Sequence, residues 1–181
     1  YANSTLPEAM VYAYRATGNS NYKMIAQLSF SFLLKHLFAG NKIKVVSNKG
    51  WHLKGTQQAR YGEQPIDVFC TIQTLDVFYQ FFRDEVYLEK MEVAFSWFLG
   101  NNHLNQIMYN PLTGAGYDGL EEHNVNLNQG AESGVCYLMA RLIIEGHREL
   151  FTTLPKGTIS PLASANKALP KEARRLPAKT G

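Results

Sequence analysis

The sequence predicts an all-α fold built as a helical-hairpin array, and three observations carry that expectation. A pattern repeats along the chain: LPEAMVYAY (6–14) leads on to YKMIAQLSFSFLL (22–34), and QPIDVFCTI (64–72) leads on to YLEKMEVAFSWFL (87–99). Tyr22, Phe30, Ser31, Phe32 and Leu34 match Tyr87, Phe95, Ser96, Trp97 and Leu99 at a constant offset of 65. Repeated units of this size mark stacked helical hairpins. Apolar residues inside them recur with helical spacing. Each leading helix also has a proline in its first turn, Pro7 and Pro65, where the missing N–H does no harm.

The elements follow in order. Pro7 and Pro65 differ by 58, so the first helix of the second unit is longer by seven residues. Seven residues are about two turns, which keeps the apolar stripe facing the same way. Val68, Ile72, Leu75, Tyr79 and Phe82 form that stripe, and Phe69, Val77, Phe78 and Phe81 extend it around the circumference. Such a helix should be buried on several sides. Its successor reads as an outer helix: Leu88, Met91, Phe95 and Phe98 make one stripe, while Glu89, Lys90, Glu92 and Ser96 face elsewhere. TGN (17–19) and RDE (83–85) are tight turns between antiparallel partners. A fifth helix is expected from Ala131 to Leu150, with Val135, Leu138, Leu142 and Ile143 inward.

Two connections are long. KIKVVSNKGWHLKG, within Gly40 to Gly62, reads as one short β-hairpin insertion turning at Ser47–Gly50. The asparagine- and glycine-rich run from Asn101 to Gly130 has little periodicity, and loops of that length are functional or disordered. Tyr109, Leu112, Tyr117 and Leu120 argue for an ordered, folded-back loop.

Composition sets the outer bounds. With 181 residues, 45% of them hydrophobic, the chain suits one packed domain. Residues 1–154 carry 12 basic and 14 acidic side chains; residues 155–181 carry six and one. The basic character therefore belongs to a tail that lacks periodicity and reads as flexible, outside the domain at 1–154. An acidic body disfavours a nucleic-acid site. Cys70 and Cys136 lie in apolar, helix-like runs and read as buried free thiols. No apolar run approaches the roughly 18 residues of a membrane span. The chain starts at Tyr1 without a methionine or a leader-like segment, so the start reads as a fragment or processing boundary that does not decide export; a cytoplasmic location is favoured.

Alternating inner and outer helices, with long loops at one rim, imply an α/α toroid. Inner helices of a toroid begin at one end, and each of the three here has a carboxylate near its start: Glu8, then Glu63 and Asp67 around Gln64-Pro65, then Glu132. Helix N-termini favour negative side chains, which explains each singly. Together they would converge beside Trp51, His52 and the loop holding Asp118. Acids and an indole in one depression suit sugar, whose hydroxyls hydrogen-bond and whose C–H faces stack. In DGLEEHNVNLNQGAES (118–133), Asp118-Gly119 reads as a turn with an Asx hydrogen bond. Asn126, Asn128 and Gln129 alternate with Val125 and Leu127, and their amides suit either backbone capping or ligand contacts. His36, His52, His103, His123 and His147 lack metal-ligand spacing, and there is no phosphate loop, G-x-G-x-x-G or G-x-S-x-G. Neither a metal nor a cofactor is expected.

YANSTLPEA, the NKGW turn, EQPID, AFSWFLGNN and TGAGYDGL…VNLNQGAES resemble, in order and spacing, the α/α-toroid domain of the six-hairpin glycosidase type. The nearest version is the one appended to the C-terminal side of certain bacterial glycosyltransferases. The similarity covers about residues 1–146. It implies a six-hairpin ring of which this chain supplies part of an (α/α)6 toroid, with upstream helices or a transferase domain in a longer parent chain. It also implies a carbohydrate ligand at the rim, carried by Trp51, Glu63, Gln64, Asp67, Asp118, Asn128, Gln129 and Glu132. Hydrolysis would need two carboxyls flanking the scissile bond, about 6.5–9.5 Å apart in an inverting pair. Glu63 or Asp67 against Asp118 or Glu132 are the catalytic candidates. Trp51, His52, Gln64, Asn128 and Gln129 are the substrate-binding ones. A helical module that docks a partner without catalysis is the alternative, because toroids host several functions.

Overall fold

A computed structural model describes residues 1–50 and 53–153. The chain is mostly helical: α1 (Thr5–Thr17), α2 (Ser20–Leu37), α3 (Pro65–Phe82), α4 (Glu85–Ser96), α5 (Ala131–Gly146) and α6 (Arg148–Thr153). Two antiparallel strand pairs accompany them, β1 (Phe38–Ala39) with β2 (Lys42–Ile43) and β3 (Gly119–Leu120) with β4 (Val125–Asn126). Trp51 and His52 lie outside the described residues, as does the tail at 155–181.

The repeat extends to the turns. Gly18 ends α1 in the left-handed region (φ 70°), with its N–H on the Tyr14 carbonyl, and Asn19 then caps α2 by accepting from the Asn21 N–H at 3.0 Å. At the same offset Arg83 ends α3 at φ 58° with its N–H on the Tyr79 carbonyl, and Asp84 caps α4 through the Val86 N–H at 3.1 Å. Stop and cap are therefore both duplicated. Each satisfies backbone groups that a helix end leaves open.

The odd-numbered helices run parallel. Ser4 Oγ meets Thr71 Oγ1 at 3.1 Å, and four residues on Glu8 takes Gln73 Nε2 at 2.9 Å. Between α3 and α5 the Asp67 and Glu132 charges interact near the helix starts, while Asp76 meets His147 Nε2 at 2.6 Å near the ends. α3 packs against α1, α4 and α5. Its buried residues, from Pro65, Asp67 and Val68 through Ile72 and Leu75 to Phe78, lie all round the helix, as its sequence predicts. Phe30 of α2 packs on Phe78 with ring centroids 4.4 Å apart, and Phe98, just beyond α4, packs on Tyr137 of α5 at 5.4 Å. All three parallel starts therefore share one end with both long connections, and the short turns Gly18-Asn19 and Arg83-Asp84 lie at the other, beside the end of α5 and α6.

Four expectations need correction. The hairpin does not turn at Ser47–Gly50. β1 and β2 pair Phe38 with Ile43 and Ala39 with Lys42 around Gly40, a glycine at φ 60° that suits a two-residue turn. Ser47 instead donates to the Tyr61 carbonyl, and Asn48 N–H binds the Gly62 carbonyl at 2.9 Å, so that segment folds onto the approach to α3. The second correction concerns α5. Val135, Leu138 and Leu142 are 52%, 54% and 71% exposed and Ile143 is only partly buried, while Ser133, Cys136, Tyr137, Ala140 and Ile144 face the core. The helix also breaks at Gly146–His147, before the predicted Leu150. Third, Glu92 and Ser96 of α4 are buried. Ser96 is accommodated because its hydroxyl donates to the Val93 carbonyl at 2.6 Å and accepts from Asn101 Nδ2 at 2.9 Å.

The loop at 101–130 is ordered, as expected, although Leu112 projects into solvent and Met108 takes the buried position. Asn102 organises it: its Nδ2 donates to the carbonyls of Trp97 and Gln106, and its Oδ1 accepts the N–H groups of Leu104 and Gln106. Tyr109 stacks on Tyr137 with ring centroids 4.9 Å apart. Glu63 and Leu120 exchange backbone hydrogen bonds at 3.0 and 2.9 Å, which ties this loop to the residues just before α3.

Candidate functional site

The shared end of α1, α3 and α5 gathers the acids, and each has a different environment. Glu8, in the first turn of α1, is buried and accepts from Gln73 Nε2 and from Thr74 Oγ1 at 3.1 Å. Asp67, in the first turn of α3, is buried too and accepts from the Ala2 N–H at 2.7 Å. Burial raises its pKa above the usual carboxylate value; the Ala2 N–H opposes that shift, and the Glu132 charge adds to it. Glu132, in the first turn of α5, is exposed to solvent. The structure thus places Asp67, a buried carboxyl with a raised pKa, and Glu132, a solvent-exposed one, at the same end of the helices.

Asp118 does different work, and this is the fourth correction. It makes no local Asx turn. Its Oδ1 accepts the Gly130 N–H at 2.8 Å and the Ser133 hydroxyl at 2.6 Å, and its Oδ2 accepts Asn128 Nδ2 at 2.7 Å. Gly130 is the residue preceding α5 and has no capping side chain of its own. Asp118 therefore caps α5 from a loop twelve residues upstream. A Cβ on Gly130 would come within 2.8 Å of Asp118 Oδ1, so glycine is needed for this approach. The Ser133 hydroxyl, then the Gly130 and Asn128 donors, hold the Asp118 pKa below its usual value. An ionised group with three donors can stabilise charge or structure, and it is a poor proton donor.

Asn128 and Gln129 lie on the exposed surface of the same loop, where Gln129 Oε1 accepts the Thr113 hydroxyl at 3.0 Å. Gln64 occupies the cap position of α3 without making a side-chain capping bond. Glu63 is only 2% exposed. The Trp97 indole N–H donates to its Oε2 at 2.9 Å, while Lys44 Nζ lies 3.8 Å and His103 Nδ1 3.6 Å from its Oε1. Burial pushes its pKa up to about 7, against the opposing effects of Lys44, Trp97 and the Val45 N–H.

Lys44, Tyr61, Trp97 and His103, which complete the surroundings of Glu63, were not predicted by sequence reasoning as partners. Trp97 was visible only as a member of the repeat. Lys44 lies over the Tyr61 ring at 4.7 Å, and that ring packs against His103 at 5.3 Å. Cys70 and Cys136 are buried free thiols, as predicted, with pKa values pushed up by burial to about 12 and about 11. Among the described residues no three His, Cys, Asp or Glu side chains cluster as metal ligands, and no helix is long and apolar enough to cross a membrane.

Fold and site together define a mostly helical protein of repeated hairpins with acidic side chains gathered at one end. No family model matches the chain, and no curated protein matches it significantly.

Proposed function

We propose that this chain is a segment of an α/α toroid of the six-hairpin glycosidase type, part of a longer bacterial carbohydrate-processing protein, and that it binds glycan at the rim where α1, α3 and α5 begin. The observation that carries this reading is the meeting of three parallel helix starts, bringing Glu8, Asp67 and Glu132 to one end. In a hydrolytic version Asp67 holds the proton for the leaving oxygen and Glu132 activates water, since burial raises the pKa of the first and leaves the second solvated. Asp118 and Glu63 then support the rim from behind. Asn128, Gln129 and Gln64 supply amides for hydroxyls; Trp51 and His52, outside the described residues, are the sequence candidates for stacking. A glycan array followed by thermal-shift titration, on the parent and on Asp67→Asn and Glu132→Gln, tests the reading. Loss of sugar binding or turnover with an unchanged melting temperature is expected, and unaltered sugar responses in both variants would defeat it.

A second reading, a non-catalytic module docked against further helices or a transferase domain, draws on α5. Val135, Leu138 and Leu142 recur at helical spacing on its solvent side, an apolar stripe of the kind that partner helices cover. It predicts sugar binding without turnover, or docking alone.

A further inference from the structure

His103 poses a problem of hydrogen counting. Its Nε2 lies 2.8 Å from the Glu121 carbonyl oxygen and 3.2 Å from that of Glu122. Carbonyls only accept, so Nε2 carries a hydrogen. In a neutral ring Nδ1 is then a bare acceptor. That atom is buried with no hydrogen-bond partner, and it faces Glu63 Oε1 at 3.6 Å. Two acceptors pointed at each other away from water repel unless a proton lies between them.

The two residues sit on opposite sides of a seam. Glu63 ends the segment that leads from β2 into α3, and His103 opens the loop at 101–130. That seam is closed in the backbone by the exchange between Glu63 and Leu120. The remaining groups around it are accounted for. Lys44 faces Glu63 and the Tyr61 ring, Trp97 and the Val45 N–H donate to the Glu63 carboxylate, and Lys49 reaches Glu121 Oε2 across the same seam at 2.5 Å.

We propose that Glu63 and His103 form a proton-operated clasp: one proton held between them fastens the 101–130 loop to the residues entering α3, and its loss loosens that seam. The direction follows from linkage. Burial in the closed seam raises the Glu63 pKa from 4.5 to about 7, so closure is favoured fully below pH 4.5 and that advantage disappears as pH rises through 7. Lys44 at 3.8 Å limits the effect, because it compensates the carboxylate once the proton has left.

Hydrogen exchange on the full chain tests this. The protection of the Leu120 and Glu63 amides, corrected for intrinsic exchange, is expected to fall on the order of 50-fold between pH 5 and pH 8. The Gly18 amide at the opposite end serves as control. In Glu63→Gln, whose amide donates to Nδ1 at any pH, the dependence should vanish. His103→Gln should flatten it too, and it provides the comparison if Glu63→Gln does not fold. Protection that is flat in the parent, or pH dependence that survives in the variants, would overturn the proposal. The readout uses no sugar, so failure of the clasp and failure of the proposed glycan binding are told apart.

Discussion

Replacing Asp118 with alanine separates a structural from a chemical role. The change removes one acceptor from three donors at once: the Gly130 N–H, the Ser133 hydroxyl and Asn128 Nδ2. Loss of a helix cap costs about 0.5–2 kcal/mol, and a hydrogen bond to a charged group is worth about 1.5–3 kcal/mol. The three bonds share one carboxylate and do not add, so about 2–3 kcal/mol is expected. For a domain of this size that lowers the melting temperature by about 5–10 °C. Circular dichroism melts and urea titrations at neutral pH measure it. Because the folded-state pKa of Asp118 is depressed below 3.8, its contribution is present above that value and lost as pH falls through the folded pKa. The parent and variant melts should therefore converge in acid. A loss under about 0.5 kcal/mol, within the range of ordinary surface changes, would refute the capping role. So would a fall in sugar binding at an unchanged melting temperature.

Other perturbations read different parts of the fold. Trp97→Phe removes the indole donor to Glu63 and should cost about 1–3 kcal/mol, with the Glu63 pKa moving further up; urea unfolding at pH 6 and pH 8 measures both effects. Arg83→Gly relieves a left-handed residue and should stabilise by about 1 kcal/mol, less whatever the Arg83 guanidinium gains over the Tyr79 ring at 5.6 Å. Leu138→Lys with Leu142→Lys should leave the unfolding free energy of the chain, from urea titration, within about 0.5 kcal/mol, whereas a drop above about 2 kcal/mol would mean that α5 buries that face.

The helices were legible because periodicity and repetition are local signals that reinforce one another. The offset of 65 even carried over to a stop and a cap that had not been read as such: Gly18 with Asn19, and Arg83 with Asp84. The error on α5 has a definite cause. An apolar stripe marks the side where a neighbour belongs, and Val135, Leu138 and Leu142 point where the described chain supplies none. Ser47–Gly50 carried a strong turn signal, yet Gly40 supplied the turn that paired strands. The site was half legible. Helix starts announced Glu8, Asp67 and Glu132, but the partners of Asp118 and Glu63 depend on chain crossings. Ser133 lies 15 residues from Asp118, and Trp97 lies 34 from Glu63.

The uneven distribution of connections gives the molecule two poles with different tolerances. At one, Gly18-Asn19 and Arg83-Asp84 leave the chain almost no slack, so lengthening either would pull a hairpin out of step with its neighbours. At the other, the described parts of the two long connections lie over the three helix starts, free to change in length and composition while the rods beneath stay put. Diversification is thereby channelled to a single surface. A dye or tether fixed at Asn19 would leave that surface clear for whatever approaches it.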